Sequence, residues 1–370
     1  MRAAVLHAIG DDKLDIRDDV QVIGPGPGEV RIRVRAAGVC HSDLSARDGG
    51  LPQPVPAVLG HEAAGDVLDV GEGVDDLAPG DRVIVNWLPA CGACPSCARG
   101  EPYLCMAHVM MGYVQPRFLA GDLPVFGMAG CGAFAEEMVV PRPGAVKIGD
   151  DVPYEVAAIV GCGVMTGVGS VVNTAQVRPG SSVVVIGCGG VGISAIQGAR
   201  LAGAELIVAV DTVVAKHEVA RRFGATHAVR PDDLSELSTQ VTGGEGFDYA
   251  FDVVAAPATL RAAWVAARRG GAVVVVGAGR AELQVDFSPF ELLFEGKRIL
   301  SSLYGNADAQ RDFPRLLDFW RAGQLDLAGM ISHRLGLDEV DDALRALGRG
   351  DVIRQVVIHD GAEAAQCDAG

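Results

Sequence analysis

Apolar and polar positions change rhythm twice along the chain. Up to about residue 153, short apolar runs alternate with charged residues, as in Val30-Arg31-Ile32-Arg33-Val34, between turn sequences such as Gly24-Pro25-Gly26-Pro27-Gly28. A period of two bounded by glycine and proline predicts half-buried strands, so this part reads as β-rich. From about Ser181 the apolar runs become continuous and rich in valine, at residues 183–186, 206–210, 249–254 and 272–276, with helical spacing between them. Such strands, apolar on both faces and alternating with helices, predict a parallel sheet covered on both sides. Beyond Leu303 that rhythm stops, and residues 338–349 set Val340, Leu344 and Leu347 on one face of an amphipathic helix.

The expected class is α/β, in discontinuous domains: residues 1–163 β-rich, 164–303 a doubly wound parallel sheet, and 304–370 a return to the first domain. Residues 361–370, small and polar, read as a frayed end. Residues 156–177 carry no charge and are long enough to span a bilayer, but Gly161, Gly163, Gly167, Gly169, Asn173 and Gln176 favour a buried helix and turn. A strand near residues 272–277 is either an edge that pairs with a second copy or an ordinary internal strand.

Composition narrows the function classes. A chain of 370 residues is long enough for two cores, and a net charge of −16 repels nucleic acid and anionic membranes. The amino-terminal Met1-Arg2-Ala3-Ala4-Val5-Leu6-His7 lacks the apolar core of a secretory signal, so the expected location is cytoplasmic. Nine cysteines in a reducing compartment point to metal ligation before disulfides.

Gly187-Cys188-Gly189-Gly190-Val191-Gly192 follows the run 183–186 and opens a helical segment, which places backbone N–H groups where a dinucleotide pyrophosphate binds. Asp211 ends the next predicted strand, where a carboxylate accepts ribose hydroxyls and repels a 2′-phosphate. NAD is therefore expected over NADP, with Lys216 one turn further on also within reach of the ribose. The competing view is a glycine-rich turn of another α/β protein with Asp211 as a helix cap. Cys91, Cys94, Cys97 and Cys105 crowd four thiols together and suit tetrahedral zinc with no open position, hence a structural site. The alternatives are an iron–sulfur cluster, although nothing else in the chain implies one-electron chemistry, and a set of unligated thiols. Cys40, His61 and Cys162 are scattered, and spacing alone does not join them.

These motifs together resemble the zinc-containing medium-chain alcohol dehydrogenases over essentially the whole chain. The likeness runs from residues 38–43 through Gly60-His61-Glu62-Ala63-Ala64-Gly65, the four cysteines and the glycine loop to Gly350-Asp351-Val352-Ile353-Arg354. Within that family, Asn86-Trp87, Gly161-Cys162-Gly163-Val164-Met165, Ser301-Ser302-Leu303-Tyr304-Gly305 and Arg311-Asp312-Phe313-Pro314 resemble bacterial thiol-dependent formaldehyde dehydrogenases, particularly the mycothiol-linked type. The resemblance implies a Rossmann domain, a GroES-like catalytic domain with a zinc lobe at about 91–105, and two zinc ions per subunit.

It further implies Cys40, His61 and Cys162 as catalytic zinc ligands, with Glu62 behind the metal and Asp43 orienting His61. Ser42 is implied as the hydrogen-bond partner of the substrate oxygen, and His41 and Arg354 as pyrophosphate contacts. Thr166, Val191 and Val276 are expected around the nicotinamide, and Trp87 and Tyr304 along the substrate cleft, ordinary core packing being the alternative for the last two. Ser45 stands where many members carry a proton-relay histidine, so the relay from Ser42 ends at water or at another base. Cys131, Cys188 and Cys367 fall outside both sites. The implied reaction moves a hydride between NAD and an alcohol or aldehyde, or a low-molecular-weight thiol adduct, in a homodimer or homotetramer. The competing functions are a polyol dehydrogenase or double-bond reductase on the same scaffold, and a non-catalytic nucleotide- and zinc-binding protein.

Overall fold

A computed structural model describes residues 1–359. The expected frayed end at 361–370 and Cys367 lie outside the described residues. The chain divides into two compact units, one of residues 1–162, 308–322 and 327 onward, the other of Gly163–Ala307 and Gly323–Asp326. Gly323–Asp326 joins the second unit because Gln197 grips Asp326 through both its side-chain carbonyl, at 2.8 Å, and its amide, at 3.4 Å.

The first unit is built on the strand Glu29–Val39, which lies antiparallel to Glu62–Val70, Glu137–Pro141 and Arg354–Ile358 in a seven-stranded sheet. Val30, Ile32 and Val34 point into the core and Arg31 and Arg33 out of it, as the period of two requires. From Ala36 to Val39 every residue is buried, and the strand delivers Cys40 inside the protein. A second, six-stranded sheet carries Ala3–Leu6, Leu123–Gly127 and Phe118–Ala120, and Phe118, Phe134, Leu6 and Leu59 fill this unit's apolar core. The late helix starts at Val340 after a short 3₁₀ turn, with Val340 and Leu344 buried and Leu347 half-buried.

The second unit holds six parallel strands in the order His227–Val229, Leu206–Val210, Ser182–Ile186, Phe247–Asp252, Ala267–Val275, Arg298–Ser301. Numbered along the sheet's own sequence this is 3-2-1-4-5-6, the doubly wound order, in which the direction of winding reverses between Ser182–Ile186 and Phe247–Asp252. The prospect of an edge strand near 272–277 is corrected here: Ala267–Val275 is hydrogen-bonded on both sides, and the outermost strands are His227–Val229 and Arg298–Ser301. An apolar run alone does not reveal which parallel strand is outermost, because all of them are covered by helices on both faces.

Residues Tyr154–Ala175 form one long, apolar helical run, sufficient in length and composition to cross a membrane, but its most apolar window is 94% buried within the protein. It is a core helix, interrupted by π segments at Val160–Val164 and Ser170–Ala175.

Candidate active site and metal centres

Four elements of the first unit converge on one cluster. Cys40 follows the central strand and caps the helix His41–Arg47, His61 and Glu62 stand at the start of the strand Glu62–Val70, and Cys162 lies in the π segment Val160–Val164. The ligand atoms of Cys40, His61, Glu62 and Cys162 all lie within 4.8 Å of one another, and all four residues are buried. A π turn widens the helical repeat locally, a feature frequent at functional sites.

Asp43 organises the cluster from behind. Its Oδ2 accepts the backbone N–H of Cys40 at 2.8 Å and its Oδ1 lies 2.9 Å from His61 Nδ1. A carboxylate in that position makes Nδ1 the protonated nitrogen and leaves the Nε2 lone pair for a metal. Glu62 opposes Gly38 across the sheet, where a Cβ at 38 would come 2.1 Å from Glu62 Oε2, so only glycine leaves room for this buried carboxyl. Glu62 Oε1 is paired with Arg354 Nη2, while Oε2 has no partner among the described residues. Arg354, expected at a pyrophosphate, is buried beside the metal cluster, and Nη1 also donates to Val39 O at 3.4 Å. This pairing spans 292 positions and left no trace in the spacing.

The four side chains perturb one another's charge. The Cys40 thiol is held well below its ordinary range by a hydrogen bond from Cys162, which together with His61 and Arg354 outweighs burial. The same bond, with burial, holds Cys162 well above it. Burial pulls His61 down, but Asp43 and Cys40 outweigh burial and raise it. Burial raises Glu62 to about 7 against the opposing charge of Arg354. Two thiols and an imidazole are donors that a tetrahedral zinc ion takes, with the unsatisfied Glu62 oxygen beside them, and binding it would displace thiol protons.

The remaining expected groups of this unit surround the cluster unevenly. Ser42 Oγ is 3.8 Å from Cys40 Sγ, and His41 is exposed on the first helical turn. Trp87, half-buried, stands edge-on to His61 with ring centroids 6.0 Å apart. Ser45 is partly exposed on the same short helix.

Cys91, Cys94, Cys97 and Cys105 bring four sulfurs within 4.8 Å of one another. Backbone N–H groups of Ala93 and Cys94 push the Cys91 thiol down to about 6, and burial with Cys94 pushes Cys97 up to about 11. Backbone N–H groups directed at sulfur, such as Cys91 N to Cys105 Sγ at 3.2 Å, stabilise thiolates, and four ligands close a zinc site to substrate. Every described cysteine is a free thiol; Cys131 and Cys188 are buried outside both clusters, and burial pushes each to about 12.

The second unit carries the glycine loop where the winding of its sheet reverses. Gly187 takes φ +99°, and a Cβ on Gly192 would lie 1.8 Å from the Gly187 carbonyl, so the helix Gly190–Leu201 can close on the strand only with glycine there. Asp211 Oδ2 accepts the N–H of Cys188 at 2.7 Å, tying the loop to the next strand, and Lys216 Nζ stands 3.9 Å from the same oxygen. Gly189 caps the helix whose first-turn N–H groups have no partner within it, the usual setting for a phosphate. Val191 and Val276 are partly exposed, whereas Thr166 is buried. Tyr304 is 3% exposed and sits in a turn where Tyr304, Gly305 and Asn306 all have positive φ.

Comparison with known proteins agrees with this arrangement. The chain matches the alcohol dehydrogenase GroES-like domain over residues 26–150 and the zinc-binding dehydrogenase domain over residues 190–322. It is 36% identical to alcohol dehydrogenase class-3 of Cereibacter sphaeroides, over 96% of this chain and 99% of that one. It is 37% identical to the S-(hydroxymethyl)glutathione dehydrogenase of Escherichia coli, again over 96% and 99%. Among solved structures, an alcohol dehydrogenase zinc-binding domain protein of Burkholderia ambifaria superposes with a TM-score of 0.91 at 33% identity, covering 96% of this chain and 98% of that one. A zinc-binding dehydrogenase of Sinorhizobium meliloti, solved bound to NADP, superposes with a TM-score of 0.80 at 28% identity, covering 97% and 99%.

Proposed function

The chain belongs to the zinc-containing medium-chain alcohol dehydrogenases, oxidoreductases of alcohols and aldehydes that use a nicotinamide nucleotide, and from that premise we propose that it prefers NAD, holds two zinc ions and acts in the cytoplasm. The observation that carries the reading is the buried meeting of Cys40, His61 and Cys162 with Glu62 behind them. Two thiolates, which would offset the charge of a zinc ion, and one imidazole would give it three protein ligands, whereas a closed set such as the four-cysteine lobe leaves no place for a substrate.

Bound zinc supplies a Lewis acid that lowers the pKa of an alcohol hydroxyl, and NAD supplies the hydride acceptor. The chain's own residues do the rest. Cys40 and Cys162 as thiolates and His61 as neutral imidazole hold the metal, and Asp43 keeps His61 in the tautomer that can do so. Ser42, beside Cys40, receives the hydroxyl proton and passes it on, and with Ser45 in place of a relay histidine the transfer ends at water or at another base. Arg354 neutralises Glu62, and exposed His41 can donate a hydrogen bond to a pyrophosphate. The glycine loop binds that pyrophosphate while Asp211, helped by Lys216, takes the adenosine ribose; Thr166, Val191 and Val276 wall the nicotinamide. Trp87, edge-on to His61, lines the substrate side of the cluster, while Tyr304, 3% exposed, packs within its own unit. Cys91, Cys94, Cys97 and Cys105 hold the second zinc.

The finer substrate proposal is an S-hydroxymethyl thiol adduct, supported by the E. coli relative and by the mycothiol-linked resemblance. The test is a screen of simple alcohols, polyols, enals, and formaldehyde with or without mycothiol and glutathione, each with NAD and NADP. Turnover of formaldehyde only with a thiol and NAD is expected. Equal turnover without thiol contradicts the adduct, and none with any substrate at full zinc occupancy favours a non-catalytic protein. Asp211→Gly should raise NADP use relative to NAD by about tenfold or more, since a carboxylate near a phosphate costs on the order of a kcal/mol or more; an unchanged ratio contradicts the role of Asp211.

A further inference from the structure

We infer that Asp252 is a positioning residue of the nucleotide crevice, whose carboxylate holds the turn at residues 253–255 in the strained shape that seats Val253 and Val254 against the Gly187 turn. The inference rests on the NAD reading and adds a residue to it.

Asp252 ends the strand Phe247–Asp252, opposite Ile186 on one side and Val275 on the other. It thus stands where the winding of the sheet reverses, between the strand that leads into the glycine loop and the strand that leads into Val276. Its side chain is completely buried. Oδ1 accepts the N–H groups of Val254 at 3.0 Å and Ala255 at 3.1 Å, while Oδ2 has no hydrogen-bond partner among the described residues. Keeping a carboxyl in such a place is costly unless its two N–H bonds do something a smaller residue cannot.

What they do is fix an unfavourable turn. Ala255 has φ +60°, the left-handed region that is unfavourable for a residue bearing a Cβ. The turn is also wedged between the two glycines of the crevice. A Cβ on Gly187 would lie 2.8 Å from both Val253 Cγ2 and Val254 Cγ2, and a Cβ on Gly277 would lie 2.8 Å from Val253 O. The backbone carbonyl of Asp252 meanwhile accepts from Val276 N at 2.9 Å and Gly277 N at 3.1 Å, and Val253 N donates to Ile186 O at 3.1 Å. One residue therefore couples the pyrophosphate loop to the backbone expected beside the nicotinamide. If the turn relaxes, Val253 and Val254 withdraw from Gly187, and the loop must be ordered anew by the nucleotide at the expense of affinity.

The experiment measures steady-state kinetics and NADH binding by fluorescence on the zinc-loaded enzyme. Asp252→Asn keeps an acceptor for the two N–H groups and should leave the NAD KM within about threefold. Asp252→Ala should raise the NAD KM and the NADH Kd about tenfold, with kcat at saturating NAD within about threefold. Adding Ala255→Gly to Asp252→Ala should restore KM, because glycine takes φ +60° without strain. An unchanged KM in Asp252→Ala, or a joint loss of kcat and KM that Ala255→Gly does not rescue, overturns the inference. Should Asp252→Ala not fold, Ala255→Val carries the same expectation of a raised KM with kcat retained, and an unchanged KM overturns it. A wild-type enzyme that binds no NADH defeats the nucleotide reading and this inference with it; one that binds NADH while the variants match it defeats this inference alone.

Discussion

Asp43 shows how a buried side chain sets the chemistry of another. It fixes the His61 tautomer and the Cys40 backbone at once, so its loss would disorder two metal ligands together. The protonation of those ligands gives a signed prediction. Without metal, Cys162 is held above its ordinary range by Cys40 and burial, and His61 is raised by Asp43 and Cys40, so zinc binding expels protons. Affinity at this site should therefore rise with pH, by about one decade or more per unit between pH 6 and 8, in chelator competition. A flat profile would mean that these groups are not the ligands. The ligands were legible only through resemblance, since nothing in the separation of residues 40, 61 and 162 joins them. The four-cysteine lobe and the glycine loop were legible directly, because their chemistry is local in sequence. Arg354 could be named but not placed: no pattern along the chain announces its partner Glu62.

At the scale of elements, the strand Glu29–Val39 does two jobs that its sequence separates cleanly. Its alternating half packs the core, and its fully buried end carries Gly38 and leads into Cys40. Gly38→Ala should force Glu62 out of its place, since the new Cβ would lie 2.1 Å from Glu62 Oε2. Zinc content measured by mass spectrometry should then fall towards one ion per chain with the four-cysteine site still loaded; two ions retained would show that Glu62 is free to move. The parallel strands and the amphipathic helix at Val340–Arg349 were readable from periodicity. The sheet edge was not, because order in a covered parallel sheet depends on crossovers and not on the composition of any one strand. Neither were the π segments at Val160–Val164 and Ser170–Ala175.

For the molecule as a whole, an acidic surface at net charge −16 leaves anionic ligands to local donors, chiefly the helix start at Gly190. The free edge at Arg298–Ser301 carries exposed Ile299, and nearby Phe290, Leu293 and Phe294 are more than half exposed. An apolar, unpaired edge suits pairing with a second copy. Ile299→Lys should shift a dimer or larger assembly towards monomer in sedimentation; an unchanged distribution would place any interface elsewhere. The central proposal is that Cys40, His61 and Cys162 hold a zinc ion, and anomalous diffraction at the zinc edge from crystals of the active enzyme tests it most directly. Two peaks per chain are predicted, one amid Cys91, Cys94, Cys97 and Cys105 and one bounded by Cys40 Sγ, His61 Nε2 and Cys162 Sγ. A single peak at the four-cysteine lobe in an enzyme that still turns over would contradict it.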